Sequence, residues 1–343
     1  MDFTINLLKN DGHCSHPKTK SLLDSLARRN KIDLFDMNVS PYLEDLNTRL
    51  TVIKDIDNNF KAQIDIPLGV DDSSSNPKRI FNCYSFWLEY CLEISKELDC
   101  SFLIGLNASD WGNEQFLSMT SEKESIIIPD EYSMFESKKL SHINSWRSFS
   151  EFNQGWQNRK PIMFWRGSTT GKPIESIHDL ENLQRVKSCI QYKNHFGFDM
   201  KVSNIVNNKI PKKRIKEWLS SHKIMSSKIG ENAFIRYRYY PDLPGNNESC
   251  GSWGVIKKYL RGNLVFRPNY ASQMYYDRYL KPWEHYIPID KEFIDLEEKL
   301  LWSENHNEQA VKISWRGYCV AKEYLTKIKE HFKEVVISNI VKV

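Results

Sequence analysis

Short apolar runs alternate along the chain with segments in which apolar residues recur at helical spacing. The runs in Cys100–Leu106, Ser125–Asp130 and Pro161–Trp165 have the length of buried strands. The segment Ile80–Leu98 spaces its apolar residues as a helix packed on a sheet would. Strands that alternate with helices are typical of α/β architecture with parallel sheets.

The second half of the chain repeats this alternation and ends in a helical tail. Pro211 stands where a helix would begin, and Gly254–Leu260 has helical character. Ala233–Tyr240 and Gly262–Pro268 have the composition of strands, and apolar residues recur at helical spacing from Asn307 onward. These patterns predict a second α/β region followed by a long C-terminal helix.

The chain length of 343 residues provides material for two hydrophobic cores. Hydrophobic residues make up 40% of the chain and charged residues 27%, which is the balance of a globular protein. We therefore predict an N-terminal domain over residues 1–155, a C-terminal domain over 156–305 and a helical segment over 306–343.

The charges are nearly balanced over the whole chain but not locally. A net charge of +4, from 48 basic and 44 acidic residues, does not indicate a nucleic-acid partner. The stretch Lys209–Arg238, however, has nine basic residues against only Glu217 and Glu231. This stretch is either a solvated helix face or a surface for an anionic ligand or an anionic membrane.

The cysteines and the chain start bear on location. Seven cysteines are scattered without a C-x-x-C pair, which argues for a reducing compartment and against a disulfide framework. The first residues lack the basic start and apolar core of a signal peptide, and no run of about 18 apolar residues occurs. We expect a cytoplasmic protein, with peripheral contact to the inner face of a membrane left open.

The run Pro161–Trp165 leads into a turn, Arg166–Lys172, that nearly matches the phosphate-binding P-loop. Three residues instead of four separate its glycines, and Pro173 stands where the P-loop has the Ser or Thr that holds magnesium. The guanidinium of Arg166 and the amides and hydroxyls of the turn could still bind phosphate. For Arg166, as for Arg185 on the next helical segment, the alternative is an ordinary ion pair.

A carboxylate follows the run Cys100–Leu106. Asp110, beside Trp111, is expected just past the C-terminal end of a strand, where ligands bind in open α/β sheets. It is either a general base or a carboxylate that caps a helix or turn. Two other polar groups are weak candidates for a metal site. His13, Cys14 and His16 lie together, but zinc needs three or four ligands in suitable geometry and no second cluster is apparent. Asp55 and Asp57 form an Asp-x-Asp pair, a pattern so short that it is expected by chance.

Two further segments carry candidate residues. A loop of small residues precedes Gly254–Leu260, and the free N–H groups of a helix start, together with Lys258, would favour an anion there. The segment Leu280–Asp290 places Trp283 and His285 between two prolines. A histidine in that setting is either structural or an acid or base.

The order of these pieces is more specific than any one of them. An Asp-aromatic pair is followed by "FWRGS", a downstream Arg, "GSWG", "LVF" and "LKPWEHYIPI". In this order the chain resembles glycosyltransferase family 90, from about Phe102 to about Leu325. The family includes protein O-glucosyltransferases, fungal capsule xylosyltransferases and bacterial enzymes linked to lipopolysaccharide sugars. Residues 1–80 show no resemblance.

The resemblance implies a GT-B-like fold, in which two Rossmann-like domains face each other across a cleft and the C-terminal one holds the nucleotide sugar. It also implies inverting transfer from a UDP-sugar, with glucose or xylose as the sugar and with no metal or other cofactor. The family's catalytic aspartate corresponds to Asp110, and its pyrophosphate-binding arginine to Arg185. The other candidates for the nucleotide-sugar site are Arg166, Gly167, Ser168, Ser249, Gly251, Ser252, Trp253, Gly254 and Lys258, and those for shaping the cleft are Trp111, Trp283 and His285.

The chain departs from the eukaryotic branch of the family at Gly254, where that branch carries an arginine. Lys258 instead matches a lysine that is usual in the bacterial branch, so the resemblance is closer to that branch. The implied acceptor is a surface glycan or a lipopolysaccharide-type glycolipid. An alternative function is a non-catalytic protein that retains the fold and binds carbohydrate or polyanions, although Asp110 and Arg185 are both retained.

Overall fold

The computed structural model of the chain describes residues 33–34, 39–40, 49–54, 60–67, 77–108, 117–121, 124–142 and 146–342. The chain divides into two compact units. The first consists of residues 1–131 with 329–343, and the second of residues 132–328. Each unit has its own β-sheet.

The first unit contains a mixed sheet. Its described strands are β1 (Asp33–Leu34), β2 (Val39–Ser40), β3 (Arg49–Lys54), β4 (Phe60–Pro67), β5 (Phe102–Asn107), β6 (Leu117–Ser118) and β12 (Val341–Lys342). They follow the order β1-β4-β3-β5-β12, with β2 beside β4 and β6 beside β5. β3 is antiparallel to both β4 and β5. The five residues between β3 and β4 are too few for a parallel crossover, so this sheet is not parallel throughout as expected.

Helix α1 (Pro77–Ser95) covers this sheet. Its side chains Trp87, Leu88 and Cys91 are fully buried, as the helical spacing predicts. The predicted strand at Cys100–Leu106 corresponds to β5. The predicted strand at Ser125–Asp130 is reduced to an isolated bridge between Ile127 and Ser118.

The end of the chain belongs to the first unit because it packs on α1 and pairs with β5. Helix α10 (Ile328–Asn339) places Lys329 Nζ 3.1 Å from the carboxylate of Glu93. On the same helix, the ring of Phe332 meets the edge of Tyr90 at a centroid distance of 5.6 Å. Strand β12 then pairs antiparallel with β5.

The second unit contains a five-stranded parallel sheet. Its strands are β7 (Lys160–Ser168), β8 (Phe198–Asn204), β9 (Tyr237–Pro241), β10 (Leu264–Pro268) and β11 (Ile287–Ile289). They follow the order β11-β10-β9-β7-β8, and every pair is parallel. This is the strand order of a doubly wound, Rossmann-like sheet. The predicted α/β fold class is thus confirmed.

Helices surround this second sheet. They are α2 (Glu131–Ser137), α3 (Phe149–Gln157), α4 (Ile177–Asn182), α5 (Gln184–Tyr192), α6 (Lys212–Ser221), α7 (Val255–Leu260), α8 (Leu296–Asn305) and α9 (Asn307–Thr326), with 3₁₀ turns at Leu140–His142, Glu231–Arg236 and Tyr275–Tyr279. The 20-residue α9 is the predicted long C-terminal helix. Among the helices described, none is long and apolar enough to cross a membrane.

Helix α3 belongs to the second unit, although most of it was predicted to lie in the N-terminal domain. Ser148 caps this helix by accepting a hydrogen bond from the backbone N–H of Glu151. The fully buried ring of Trp156 meets Tyr239 of β9 edge-on at a centroid distance of 5.9 Å, and Phe152 packs on Tyr318 of α9 at 6.0 Å. The helix is therefore part of the core of the second unit, and the predicted boundary at 155/156 falls inside that unit.

Candidate active site

The strand order of the second sheet has one switch point, between β7 and β9. From this point β8 lies to one side, while β10 and β11 lie to the other. In open α/β sheets the loops at the carboxyl ends of the two central strands diverge and leave a crevice for a ligand. Here these loops follow Ser168 and Pro241. The second loop contains the predicted residues Ser249–Gly254, Arg166–Ser168 end the strand before the first loop, and Arg185 lies on the helix that follows it.

Arg166, near the end of β7, is fully engaged with the neighbouring strand. Its Nη2 donates to both carboxylate oxygens of Asp199 on β8, at 2.7 and 2.8 Å. Its Nη1 donates to the backbone carbonyls of Trp165 and Asp199, and the guanidinium lies 4.3 Å from the ring centroid of Phe164. The geometry matches the ion-pair alternative, in which Arg166 braces β7 against β8.

Gly167 and Ser168 are the last two residues of β7, directly before the turn. A Cβ atom on residue 167 would lie only 2.3 Å from the indole of Trp165, so the glycine allows this ring to fold over the strand end. The Ser168 hydroxyl contacts that of Thr170, and the Ser168 carbonyl accepts a hydrogen bond from Arg185.

Arg185, at the start of α5, joins the two loops of the switch point. Its Nη1 donates to the carbonyl of Ser168 at 3.1 Å, while Nε and Nη2 donate to the carbonyls of Pro244 and Leu243 at 2.6 and 3.3 Å. The side chain is buried against Trp165, and this burial lowers the pKa of the guanidinium. Within the described residues no carboxylate forms an ion pair with it. Asp242 acts on its charge only from a greater distance and partly opposes the effect of burial on the pKa.

The loop of small residues after β9 rests on a buried aspartate. The backbone N–H of Ser252 donates to Asp242 Oδ1 at 2.9 Å. A Cβ atom on Gly251 would lie 2.5 Å from Asp242 Oδ2, so only glycine allows this approach. Trp253 stacks on Tyr132 of α2 at a centroid distance of 6.4 Å.

The two ends of this loop differ in their surroundings. Ser249 donates its backbone N–H to the side chain of Asn247 and accepts from the N–H of Ser272, both at 2.8 Å. Gly254 precedes α7 and has open space where a side chain would stand.

Lys258 points into the interior of the second unit. Its ammonium pairs with the carboxylate of Glu231 and lies 3.5 Å from the ring centroid of Phe234. Burial lowers its pKa to about 8, and Glu231 opposes this shift. Like Arg166, Lys258 already has a carboxylate partner.

A cavity of about 590 Å³ opens in the second unit, next to the Arg185 bridge. Its wall is built from the loops that follow the strands and from α4 and α5, and it carries three lysines and three acids. The lining residues are Lys172, Pro173, Asp179, Asn182, Leu183, Gln184, Lys187, Pro244, Glu248, Ser249, Pro268, Asn269, Tyr270, Ala271, Lys291, Glu292 and Phe293. The volume is that of a pocket for one small molecule.

Trp283 and His285 do not contribute to this cavity wall. Trp283 is 43% exposed and meets Trp302 edge-on at a centroid distance of 4.8 Å. The Nδ1 atom of His285 accepts the backbone N–H of Lys281 at 2.9 Å, and burial lowers the pKa of this histidine. That hydrogen bond closes a turn between the 3₁₀ turn Tyr275–Tyr279 and strand β11.

Several sequence-predicted residues lie outside the described part of the chain. They are Asp110 and Trp111, and also His13, Cys14, His16, Asp55 and Asp57. Among the described residues, no group of three or more His, Cys, Asp or Glu side chains could hold a metal ion. The cysteines at 91, 100, 189, 250 and 319 are free thiols.

Sequence reasoning missed Asp242 and the cavity lysines Lys172 and Lys187. A signal for Asp242 was present, because it is the first residue after the apolar strand β9, just as Asp110 follows a predicted strand. No comparable signal marked the lysines, since they reach the cavity only through the fold of α5 and the turn after β7.

The chain was compared with protein families and individual proteins. A family model described as glycosyl transferase family 90 matches residues 117–330. The uncharacterized protein 179R of Invertebrate iridescent virus 6 is 24% identical over an alignment of 212 residues, which covers 55% of this chain and 18% of that protein. Protein O-glucosyltransferase 3 of Homo sapiens is 28% identical over 92 residues, which are 27% of this chain and 18% of that protein. The matches thus span less than a fifth of these relatives.

Among solved structures, a glycosyltransferase from Rickettsia africae ESF-5 is 10% identical and aligns with 95% of this chain and 84% of its own, with a TM-score of 0.38.

Proposed function

The chain belongs to glycosyl transferase family 90, and on that premise we propose that it transfers a sugar from a UDP-sugar to a hydroxyl group of a glycan. We propose glucose or xylose as the sugar, and a surface glycan or a lipopolysaccharide-type glycolipid as the acceptor. The transfer would invert the anomeric centre and would need no metal.

The observation that carries the phosphate part of this proposal is the bridge made by Arg185. A guanidinium has five N–H donors, and three of those on Arg185 go to backbone carbonyls of the two switch-point loops. Among the described residues the other two donors have no hydrogen-bond partner and the charge has no direct carboxylate partner, at the edge of the sheet where ligands bind. A diphosphate is an anion of the kind that such a fork binds.

We propose different roles for the other two cations. Arg166 and Lys258 are each paired with a carboxylate, Asp199 and Glu231. We propose that they support the walls of the site and that Arg185 and the amides of Ser249–Gly254 meet the charge that develops on the leaving diphosphate. The cavity beside Arg185 would take the nucleotide.

The other half of the chemistry is proposed from the sequence. Asp110 would remove the proton from the acceptor hydroxyl as the diphosphate leaves from the opposite face of the sugar. We propose that Trp111, Trp283 and His285 shape the cleft in which the reaction takes place. A cytoplasmic location, kinship with the bacterial branch and peripheral contact with an anionic membrane through the stretch Lys209–Arg238 complete the proposal.

A donor-hydrolysis screen tests this function directly. We expect the protein to release UDP slowly from one UDP-sugar of a panel that includes UDP-glucose and UDP-xylose, and UDP to raise its melting temperature. If no nucleotide or nucleotide sugar is hydrolysed or stabilises the fold, the transferase proposal fails and a non-catalytic carbohydrate-binding protein is favoured.

Arg185→Lys tests the phosphate assignment separately. Lysine keeps the charge but cannot bridge the loops and also present a fork, so we expect the affinity for UDP to fall about tenfold or more. Arg316→Lys, on the exposed side of α9, is the matched control and should bind UDP normally. Equal UDP affinities for the Arg185→Lys variant and the wild-type protein would remove Arg185 from the phosphate site.

A further inference from the structure

Two aspartates share one arginine in the interior of the second unit, directly behind the loop Ser249–Gly254. Arg267 Nη1 donates to Asp277 Oδ1 at 2.6 Å, and Arg267 Nε lies 3.6 Å from Asp242 Oδ2. Asp242 is fully buried, and the side chains of Arg267 and Asp277 are 5% and 9% exposed. We refer to these three residues as the carboxylate–arginine network.

Of the two carboxylates in the network, Asp242 is the one that hydrogen-bonds to the loop. Asp242 Oδ1 accepts the backbone N–H of Ser252, and the backbone of Gly251 lies so close that a Cβ there would be 2.5 Å from Oδ2 and 3.2 Å from Arg267 Nη2. Asp277 instead accepts the backbone N–H of Met274 at 2.9 Å, on the far side of Arg267. The two carboxylates thus have similar burial and share one cation, but they accept hydrogen bonds from different segments of the chain.

Asp242 also reaches the second loop of the cavity wall. Its backbone carbonyl accepts the hydroxyl of Tyr270, which lines the cavity. The N–H of Ser272 then donates to the carbonyl of Ser249, another lining residue, at 2.8 Å. One residue therefore ties together the loops after β9 and β10 where they form the wall.

The carboxylate–arginine network is expected to contribute little to the free energy of unfolding. Burial raises the pKa of Asp242, Arg267 opposes this shift, and both Asp242 Oδ2 and Arg267 Nε lack a hydrogen bond. Buried ion pairs of this kind are often replaceable by apolar side chains without loss of stability, whereas they do favour one arrangement of the groups around them. The arrangement fixed here is that of the loop at Gly251 and Ser252.

We propose that Asp242 is a positioning residue that holds the backbone amides of Ser249–Gly254 in the conformation that binds the diphosphate of the donor. It acts through Ser252 and Gly251 and touches no reacting atom. The inference rests on the proposed function, because that function makes the loop a donor contact.

The first test needs no ligand. We expect hydrogen exchange of the backbone amides in 249–254 to become about tenfold faster in Asp242→Ala and in Gly251→Ala, which breaks the same contact from the opposite side. Asp277→Ala, the matched control, should lower the melting temperature about as much as Asp242→Ala but leave exchange in 249–254 unchanged. Gly230→Ala, with nothing within 4 Å of the new methyl group, controls for the glycine substitution.

The second test uses UDP. We expect the dissociation constant for UDP to rise about tenfold in Asp242→Ala and Gly251→Ala, and kcat/KM for the donor to fall by at least the same factor, because the loop amides meet charge on the bound diphosphate and charge that develops as it leaves. Asp277→Ala should bind UDP normally. Gly251→Ala keeps the test decisive even where Asp242→Ala fails to fold.

The outcomes separate the inference from the function on which it rests. A wild-type protein that binds no nucleotide refutes the proposed function, and exchange in 249–254 still decides whether Asp242 holds the loop. If hydrogen exchange in 249–254 is unchanged in both Asp242→Ala and Gly251→Ala, the positioning role is wrong. It is also wrong if the wild-type protein binds UDP but Asp242→Ala and Asp277→Ala weaken that binding equally.

Discussion

Lys258→Met is expected to stabilise the protein at neutral pH, although it removes an ion pair. The side chain of Lys258 is 6% exposed, and its ammonium pairs with Glu231 and faces the ring of Phe234. Burial lowers its pKa from the usual 10.5 to about 8, so the folded protein disfavours the charge despite the carboxylate beside it. Methionine fills a similar volume without a charge, and Glu231 is exposed enough to remain hydrated.

The expected size follows from the two pKa values. Because a tenfold change in a protonation equilibrium corresponds to about 1.4 kcal/mol, keeping Lys258 charged in the folded protein costs about 3 kcal/mol at pH 7. A lysine whose folded pKa lies below its unfolded pKa carries its full penalty below the folded value. The penalty disappears as the pH rises towards the unfolded value, and at pH 10 about 1 kcal/mol remains.

Thermal unfolding of wild type and variant at pH 7 and pH 10 measures this effect. We expect the variant to melt about 5–10 °C higher at pH 7 and to lose most of that advantage at pH 10. Other titrations are common to both proteins and cancel in the comparison. Lys257→Met, the neighbouring control, should lower the melting temperature, because Lys257 lies 3.4 Å from the buried carboxylate of Glu136. A less stable Lys258→Met at pH 7, or an advantage that does not change with pH, would refute the reasoning.

Three further predictions concern packing, the base and metals. Gly317→Ala should destabilise the fold by about 1–2 kcal/mol in urea or thermal unfolding. The new Cβ would lie 2.6 Å from the carbonyl oxygen of His285, and this clash outweighs the better helix propensity of alanine. Gly155→Ala, whose Cβ has its nearest contact at 3.3 Å, should not destabilise the fold. Asp110→Asn should fold and bind UDP normally but transfer sugar about 10²-fold more slowly in a product assay, and a normal rate would exclude it as the base. Donor hydrolysis should persist in EDTA; a loss that manganese restores would contradict a metal-free mechanism.

Elements whose pattern is local were predictable from the sequence. The apolar runs that became β7 and β10, and the helical spacing that became α9, depend on neighbouring residues only. Ala233–Tyr240, predicted as one strand, begins as a 3₁₀ turn at Glu231–Arg236 and becomes β9 only at Tyr237. The direction of the strands in the first sheet could not be predicted from the apolar pattern either, because it depends on which strands pair.

The candidate site shows the same division. The positions of Arg166 at the end of β7 and of Arg185 after it could be predicted, because ligand-binding loops follow the carboxyl ends of parallel strands. Their roles could not, because Arg166 finds its carboxylate 33 residues away on β8, and Arg185 finds carbonyls 58 and 59 residues away after β9. Pairings over such distances arise from the tertiary fold, and they decide which cation keeps its charge for a ligand.

A comparison of Arg185 with Arg159 shows that a buried arginine without a carboxylate is not by itself a ligand site. Arg159 is buried, donates to the carbonyl of Gly262 and, within the described residues, forms no ion pair, and burial lowers its pKa to about 10. It precedes β7, however, and so lies at the amino end of the strand, where its guanidinium sits 5.2 Å from the ring centroid of Trp146 and 5.8 Å from that of Phe152. Arg185 has the same lack of an acidic partner at the carboxyl end of the same sheet, beside a cavity. Position at that edge, added to a charge without a direct carboxylate partner, is what makes Arg185 rather than Arg159 the candidate for binding an anion.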